Sequence, residues 1–238
     1  MAQFENYAPY SAGLDSVDAV NALFRKVYQY MAAGLILTAL AAYLTASSQF
    51  MIRLLFSSRA PMLILVFVEL ALVFGISAGI NKLSAESART LFFIYSIING
   101  LMISAVLLVY TQESVAKAFF SAAGMFGAMS IYGIYTKRDL SVFGSFLTMG
   151  LFGLITALMI NMFFGSSIAD MYISVFGIII FLGLTAYDTS KIKALAASYE
   201  GRDEAMSGKI AVLGALNLYL DFINLFLYLV KLFGKHRD

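Results

Sequence analysis

The stretch Gly214-Ala-Leu-Asn-Leu-Tyr-Leu-Asp-Phe-Ile-Asn-Leu-Phe-Leu-Tyr228 places one acidic residue, Asp221, in a segment that is otherwise mostly apolar. The apolar run around it covers about residues 210–230, which is long enough to cross a bilayer as a helix. A carboxylate at bilayer depth costs roughly 2.5 kcal/mol or more even on lenient insertion scales. Because it needs a partner, a proton or a path for water, Asp221 is the first candidate for a functional residue.

Apolar segments of similar length recur along the whole chain. Of the 238 residues, 61% are hydrophobic, and the mean hydropathy is +0.85, whereas soluble domains are about 45–50% apolar. The runs are too long for strands and lack their period-two alternation. The sequence therefore predicts an all-α integral membrane protein with seven transmembrane helices and no separate soluble domain. The predicted spans lie near 27–49, 61–80, 91–110, 118–135, 142–164, 171–187 and 210–230.

Residues 1–26 are interpreted as a short N-terminal arm, and 27–238 as a single transmembrane domain. The arm carries acidic residues before Arg25 and Lys26, and no short apolar core with a small-residue cleavage site follows it. These features are not those of a cleaved signal peptide.

The distribution of Lys and Arg predicts which end of the bundle is cytoplasmic. With seven spans, ten of the 16 basic residues share the side of the N-terminus and six lie on the other side, so the positive-inside rule places the N-terminus in the cytoplasm. The basic tail at Lys231, Lys235 and Arg237 conflicts with this count. A last helix that dips into the membrane and returns is the alternative to a full span.

Composition excludes several classes of function. The net charge is only +2, and the 16 Lys and Arg residues are distributed between the apolar segments rather than gathered in one block. The sequence therefore shows no basic patch of the kind that binds nucleic acid. The chain has no cysteine, and its one histidine, His236, lies in the tail. A histidine-based zinc or haem site within one chain is excluded, no cofactor is expected, and any metal would be a hard cation bound by oxygen.

The polar residues of the last span fall on one face of the predicted helix. Gly214, Asn217, Asp221, Asn224 and Tyr228 are spaced three, four, three and four apart. This spacing predicts one polar stripe directed toward other protein or water. Asn217 and Asn224 either line an ion path or only bond to neighbouring helices, and the spacing leaves both open.

A second acidic residue, Asp188, lies where the sixth span meets the inner face. An ion pair with Lys191, three residues on, is the simpler interpretation of Asp188. The other interpretation pairs it with Asp221, because helices adjacent in sequence are often neighbours. Spacing alone does not decide whether Asp188 reaches the depth of Asp221.

Two carboxylates that meet in a medium of low dielectric constant cannot both ionise cheaply, so they share a proton. Such a pair would act as a pH sensor. Low pH would keep the pair protonated and closed, whereas rising pH would add a second negative charge that repels the helices or recruits Ca²⁺. A cation path lined by carboxylate and amide oxygens follows from this hypothesis.

Other residues at membrane depth are weaker candidates. Glu69 in the second span either lines the same path or bonds to a neighbouring helix, whereas Asn99 and Asn161 are interpreted as structural. Gly75 and Gly79 form a GxxxG motif, for which close packing within the monomer is preferred over a dimer interface, as it is for the small pair Ala123 and Gly127.

Several motifs resemble the Bax inhibitor family, also called the transmembrane Bax inhibitor motif or lifeguard family. They are Thr185-Ala-Tyr-Asp-Thr189 and Leu218-Tyr-Leu-Asp-Phe-Ile-Asn-Leu-Phe226, with Thr136-Lys-Arg-Asp-Leu-Ser141 and Gly124-Met-Phe-Gly127 resembling bacterial inner-membrane members. The resemblance implies a seven-helix bundle with the last helix central and a pH-sensitive calcium leak. It also implies a di-aspartyl sensor at the positions of Asp188 and Asp221, and a bacterial inner-membrane location.

The leading functional hypothesis is a pH-gated cation leak, for Ca²⁺, with Asp188 and Asp221 as the sensor and Asn217, Asn224 and Glu69 lining the path. A non-conducting regulator of another membrane protein, such as a protease, is the alternative; the arm and the 188–209 loop would then be its contact surfaces. An intramembrane aspartyl protease is disfavoured, because Tyr219-Leu-Asp221 lacks the Gly-x-Gly-Asp of such enzymes and their Pro-Ala-Leu element is missing. The chain is therefore predicted not to be an enzyme.

Overall fold

The computed structural model describes residues 9–199 and 204–237. Within these residues the chain forms eight helices. They are α1 (Pro9–Ser47), α2 (Gln49–Phe56), α3 (Arg59–Gly79), α4 (Ala85–Val109), α5 (Gln112–Tyr135), α6 (Ser141–Phe164), α7 (Ser167–Tyr199) and α8 (Glu204–Phe233).

Seven of these helices are long and apolar enough to cross a membrane, which confirms the predicted helical membrane bundle. The remaining helix, α2, is short and lies between the first two spans. The Ser48 hydroxyl caps its start by accepting a hydrogen bond from the Met51 amide at 3.4 Å. In the described part of the chain, the β-structure consists of a single bridge between Tyr110 and His236.

Two helices extend beyond the apolar runs that predicted them. Helix α1 begins at Pro9, so residues 9–26 of the predicted arm are helical, while residues 1–8 lie outside the described part. Helix α7 continues to Tyr199, so the segment 188–209 is largely helix rather than a loop, and its residues 200–203 are not described. The continuation of α7 is amphipathic: Ile192 and Ala196 are buried beside exposed Lys191. A hydropathy window does not detect such a helix end because the average includes its polar face.

Helix α8 is the central helix of the bundle, in agreement with the family resemblance. It packs against α7, α1, α5 and α4. Leu216, Leu218, Tyr219 and Leu225 are fully buried on different sides of the helix. In a helix that is buried over most of its surface and apolar on most faces, the few polar residues are conspicuous.

Close contacts fix how the helices around α8 are aligned. Gly214 of α8 faces Ile192 of α7 and Val27 of α1, whereas Gly177 of α7 faces Tyr228. Helix α7 is therefore antiparallel to α8. We call the end of the bundle where α8 begins the inner end, and the end where it finishes the outer end.

Helix α3 lies at the periphery, and Ile76 is the buried residue in its described structure. The expectation that its GxxxG motif packs closely within the monomer is wrong. Gly75 faces open space and Gly79 meets only the Leu83 side chain, while Gly127 of α5 also faces open space. A close helix contact is formed instead at Gly100 of α4, which lies against the Thr38 backbone of α1. Small residues allow two helices to approach closely only where a second helix faces them.

The C-terminal tail folds back onto the turn between α4 and α5 at the outer end. The Arg237 amide donates to the Val109 carbonyl at 2.8 Å, and the Thr111 amide donates to the Lys235 carbonyl at 3.0 Å. The His236 ring packs against Tyr110 with centroids 4.9 Å apart. Because α8 is continuous over 30 residues and its tail is held at the opposite end from its start, the helix does not dip in and return.

The Thr136–Ser141 motif forms the turn between α5 and α6 at the inner end. The Ser141 amide donates to Asp139 Oδ1 at 2.9 Å, and the Arg138 amide donates to Thr136 Oγ1 at 3.2 Å. The hydrogen bond from Ser141 lowers the pKa of the exposed Asp139 carboxyl below its ordinary value. The motif therefore shapes a connection rather than a membrane-embedded site.

Candidate carboxylate site in the transmembrane bundle

Asp221 lies in the middle of the central helix and is 3% exposed. Its Oδ2 atom is buried and has no hydrogen-bond partner. An unpaired buried polar atom is uncommon because burial removes its water without replacing the lost hydrogen bonds. The residue singled out first by the sequence is thus also an unsatisfied polar group of the bundle.

Asp188 lies about one helical turn from Asp221 along the interface between α7 and α8. The contacts of Gly214 with Ile192 and of Gly177 with Tyr228 align residue 188 with residues 217–218 of the antiparallel α8. One turn is roughly 5 Å along the helix axis. At such a separation, two ionised carboxylates in a medium of low dielectric constant would repel each other.

The alternative partner of Asp188, Lys191, is directed elsewhere. Its Nζ lies 5.9 Å from the centroid of the Tyr187 ring. Among the residues that the structure describes, no ion pair joins Lys191 to Asp188. Asp188 itself is half-buried. The predicted i,i+3 ion pair is therefore not formed.

Two further buried oxygens without a hydrogen-bond partner lie in the middle part of the bundle. They are Tyr28 Oη of α1 and Ser130 Oγ of α5. Tyr28 follows Val27, which contacts Gly214 on α8, and Ser130 lies one turn from Gly133, whose close neighbours on α7 are Ala186 and Thr189. Three helices thus contribute unpaired oxygens to the middle of the bundle, within about two helical turns of one another along its axis.

Helix α5 is held close to α7 beside these groups. Gly133 faces the Ala186 carbonyl and the Thr189 side chain, so a Cβ atom at this position would collide with α7. The Lys193 ammonium donates to the Ile134 carbonyl at 2.7 Å and satisfies a backbone group at the end of α5. Asp188 lies between Ala186 and Thr189 in the sequence, so its position depends on this tight helix pair.

The polar stripe of α8 is less uniform than its spacing predicted. Asn217 and Asn224 lie on the least buried side of the helix, and Asn224 Nδ2 donates to the Leu220 carbonyl of its own helix at 2.8 Å. Gly214 and Tyr228 serve instead in packing, Gly214 against Ile192 and Tyr228 against Gly177. Asn217 is the stripe residue level with Asp188.

Glu69 hydrogen-bonds to a neighbouring helix, which was one of its two predicted roles. Asn99 Nδ2 donates to Glu69 Oε1 at 3.0 Å, and Asn99 Oδ1 accepts from Tyr219 Oη at 3.0 Å. Tyr219 Oη also lies 2.6 Å from Thr38 Oγ1. The chain Glu69–Asn99–Tyr219–Thr38 therefore joins α3, α4, α8 and α1.

Tyr219 and Thr38 were missed by the sequence analysis because they fall outside the stripe on α8 and in an apolar part of α1. A tyrosine in the middle of an apolar helix was nevertheless a usable signal, since a buried phenol needs a partner for its hydroxyl. The identity of that partner depends on the alignment of four helices and is not encoded in local spacing.

A second polar cluster lies at the outer end of the bundle. Asp170 Oδ1 accepts from Lys231 Nζ at 2.6 Å and from Asn161 Nδ2 at 2.8 Å. Asn161 also accepts from the Ser166 amide at 3.1 Å, so it closes the turn between α6 and α7. The structural role expected for Asn161 is confirmed, whereas the pair Asp170–Lys231 was not predicted.

A metal ion bound between Asp188 and Asp221 would have few protein ligands. In the ranges 9–199 and 204–237, no group of three or more His, Cys, Asp or Glu side chains is placed to hold a metal ion. Calcium takes six to eight oxygen ligands, so two carboxylates and a nearby amide would leave several positions for water. This donor set suits a cation in passage rather than a tightly bound one.

Comparisons with known proteins agree with this architecture. A family model described as "Inhibitor of apoptosis-promoting Bax1" matches residues 20–238. The chain is 46% identical over 212 residues to the Inner membrane protein YbhL of Escherichia coli, covering 89% of this chain and 91% of that protein. It is 42% identical over 223 residues to a protein of Deinococcus radiodurans, covering 94% of each chain. The chain therefore belongs to the Bax inhibitor family.

Proposed function

We propose that this chain is a pH-sensitive leak protein that lets cations, Ca²⁺ among them, cross the membrane, with Asp188 and Asp221 as the proton-sensing pair. The observation that carries the proposal is the unpaired Oδ2 atom of the buried Asp221 in the central helix, one turn from a second carboxyl. A buried carboxyl retained without a partner is expensive, and intramembrane ionisable groups mark ion and proton paths.

The gating step follows from the cost of placing two negative charges in a medium of low dielectric constant. With one proton shared between them, Asp188 and Asp221 attract each other, and α7 and α8 stay packed. When that proton leaves, the carboxylates repel and the pair becomes a site for a hard cation. The flux is therefore low at acidic pH and rises as the pH rises.

The other polar groups near Asp188 and Asp221 have supporting roles in this proposal. Asn217 offers an amide oxygen level with Asp188, and Ser130 and Tyr28 offer hydroxyl oxygens from α5 and α1. Asn224 lies further along the same side of α8 and continues the path toward the outer end. Glu69, bonded to Asn99, contributes through the attachment of α3 to the bundle rather than as a direct ligand.

The proposed location is the inner membrane of a bacterium with the N-terminus in the cytoplasm. The name of the Escherichia coli relative supports the membrane, and the ten basic residues on the N-terminal side support the orientation. In this orientation the carboxylate pair samples the pH of the cytoplasm.

The test is Ca²⁺ flux into proteoliposomes of the purified chain across a series of pH values. The wild-type flux is expected to rise with pH, and Asp221→Asn is expected to lose the pH dependence because the amide cannot ionise. The matched control is Asp170→Asn, which changes a carboxylate at the outer end and should leave the pH dependence intact. Absent or pH-insensitive flux in the wild type would overturn the proposal.

The same preparation separates the other functions. A non-conducting regulator would show no flux at any pH but would co-purify with another membrane protein through surfaces such as the inner ends of α1 and α7. An intramembrane protease would cleave a transmembrane peptide and lose that activity in both Asp188→Asn and Asp221→Asn. We propose no enzymatic activity for the chain.

A further inference from the structure

Two apolar grooves open on the side of the bundle, and they differ in charge. The first, about 550 Å³, lies between α1, α4, α5 and α8. The second, about 860 Å³, lies between α6 and α7. Arg237 is the charged residue among those that line the first groove, whereas the described residues lining the second groove carry no charge.

The first groove reaches from the lipid-facing surface to the central helix. Tyr43 of α1 and Phe120 of α5, at 64% and 72% exposure, stand at its rim. Its inner wall includes Phe222 and Phe226 of α8, which are nearly fully buried. A groove with these walls at membrane depth has the shape and polarity to accept an acyl chain.

Arg237 is held at the outer end of this groove by the backbone of the folded-back tail. Its amide donates to the Val109 carbonyl at 2.8 Å, next to the bridge between Tyr110 and His236. Its side chain is exposed and forms no ion pair within the part of the chain that the structure describes. A guanidinium group presents paired donors that match the oxygens of a phosphate.

We propose that the first groove binds an anionic phospholipid, with an acyl chain along Phe119 and Phe120 and its phosphate at Arg237. The unpaired charge of Arg237 in the groove favours a headgroup with net negative charge over a zwitterionic one, in which a cationic group cancels the phosphate charge, whereas Lys235 of the same tail lies outside the groove. The uncharged second groove contacts lipid without this preference.

The chain contains no tryptophan, so an introduced tryptophan reports on one groove alone. Phe120→Trp places the reporter at the first groove and Phe176→Trp places it at the second; both phenylalanines are exposed, and Tyr43→Trp is a second reporter for the first groove. Phe120 lies about 12 Å along α5 from its start, within reach of bromine atoms at the middle of an acyl chain.

The experiment measures tryptophan quenching in vesicles of phosphatidylcholine that contain a minor fraction of brominated phosphatidylglycerol or brominated phosphatidylcholine. For tryptophan at position 120 or 43, quenching is expected to indicate about fivefold tighter binding of the anionic lipid than of the zwitterionic one. This is the ratio that one cationic contact at a membrane surface gives. Tryptophan at position 176 is expected to show no preference. Arg237→Gln should abolish the preference at position 120, whereas Lys235→Gln, which removes the same charge outside the groove, should retain most of it.

Three outcomes would overturn the proposal. The first is equal quenching by the two lipids at positions 120 and 43. The second is an equal loss of preference in Arg237→Gln and Lys235→Gln, which would indicate only general attraction to the tail. The third is strong quenching at position 176 with none at positions 120 and 43, which would indicate that a second copy of the chain covers the first groove.

Discussion

The middle and the outer end of α8 carry similar polar residues in opposite states of pairing. At the outer end, Lys231 is bonded to Asp170, and Asp170 is bonded to Asn161. In the middle of the helix, Asp221 keeps a buried oxygen without a partner, as do Tyr28 and Ser130 on neighbouring helices. Paired polar groups stabilise and specify a bundle, whereas unpaired ones cost stability. The contrast separates residues that hold the helices together from the residues to which we assign the sensing of pH.

The largest expected effect tests the paired network at mid-depth. Tyr219→Ala removes a fully buried aromatic ring and its hydrogen bonds to Asn99 and Thr38, and should lower the free energy of unfolding by about 4 kcal/mol. Thermal unfolding in detergent measures the loss. Tyr219→Phe keeps the ring and should cost about 1–2 kcal/mol, because it leaves two buried polar groups with one partner fewer. Equal stability of all three proteins would show that the network contributes nothing.

The next effect tests the ion pair at the outer end. Asp170→Ala removes the acceptor of Lys231 and Asn161, but both charged side chains are partly exposed, at 35% for Lys231 and 42% for Asp170. Solvent screening limits the expected loss to about 1 kcal/mol or less. A double-mutant cycle with Lys231→Ala measures the coupling. The pH dependence of Ca²⁺ flux should not change, and a change would contradict the assignment of sensing to the pair Asp188 and Asp221.

A smaller effect concerns the paired carboxyl of the exposed turn between α5 and α6. The Ser141 amide lowers the pKa of Asp139 in the folded protein. The bond therefore stabilises the fold above the ordinary carboxyl pKa of about 4 and ceases to do so as the pH falls through the folded value. Asp139→Ala should unfold at a slightly lower temperature than the wild type at pH 7. The difference in unfolding temperature should shrink in acid. A difference that grew in acid would show that folding raises the pKa of Asp139 rather than lowering it.

The smallest effect is expected where an unpaired group is removed. Ser130→Ala deletes a buried hydroxyl that has no partner, so the unfolding free energy should stay the same or rise by up to about 1 kcal/mol. The flux should nevertheless fall if this oxygen assists a passing cation. Ser96→Ala is the matched control, because the Ser96 hydroxyl is bonded to the Phe92 carbonyl at 2.9 Å. A marked loss of stability in Ser130→Ala would place Ser130 among the structural groups.

The spans, the helical class and the burial of Asp221 in an apolar helix could be predicted from the sequence because each depends on local composition. Helix ends could not, since α7 continues past its apolar run as an amphipathic helix to Tyr199. The partners of Asn99 and Tyr219 come from different helices, and only the packed bundle brings them together. The same holds for Gly75 and Gly79, whose spacing indicates a contact surface but does not say whether any helix covers it.

The tie between the tail and the α4–α5 turn has a mechanical consequence for the central helix. With its outer end joined to α7 through Asp170 and to residues 109–111 through the backbone, α8 has its anchor at that end. Asp221 lies ten residues before Lys231, which places it about 15 Å along the helix from the anchored outer end. A tilt of roughly 10° about this end would carry Asp221 sideways by about 3 Å while the anchored end barely moved.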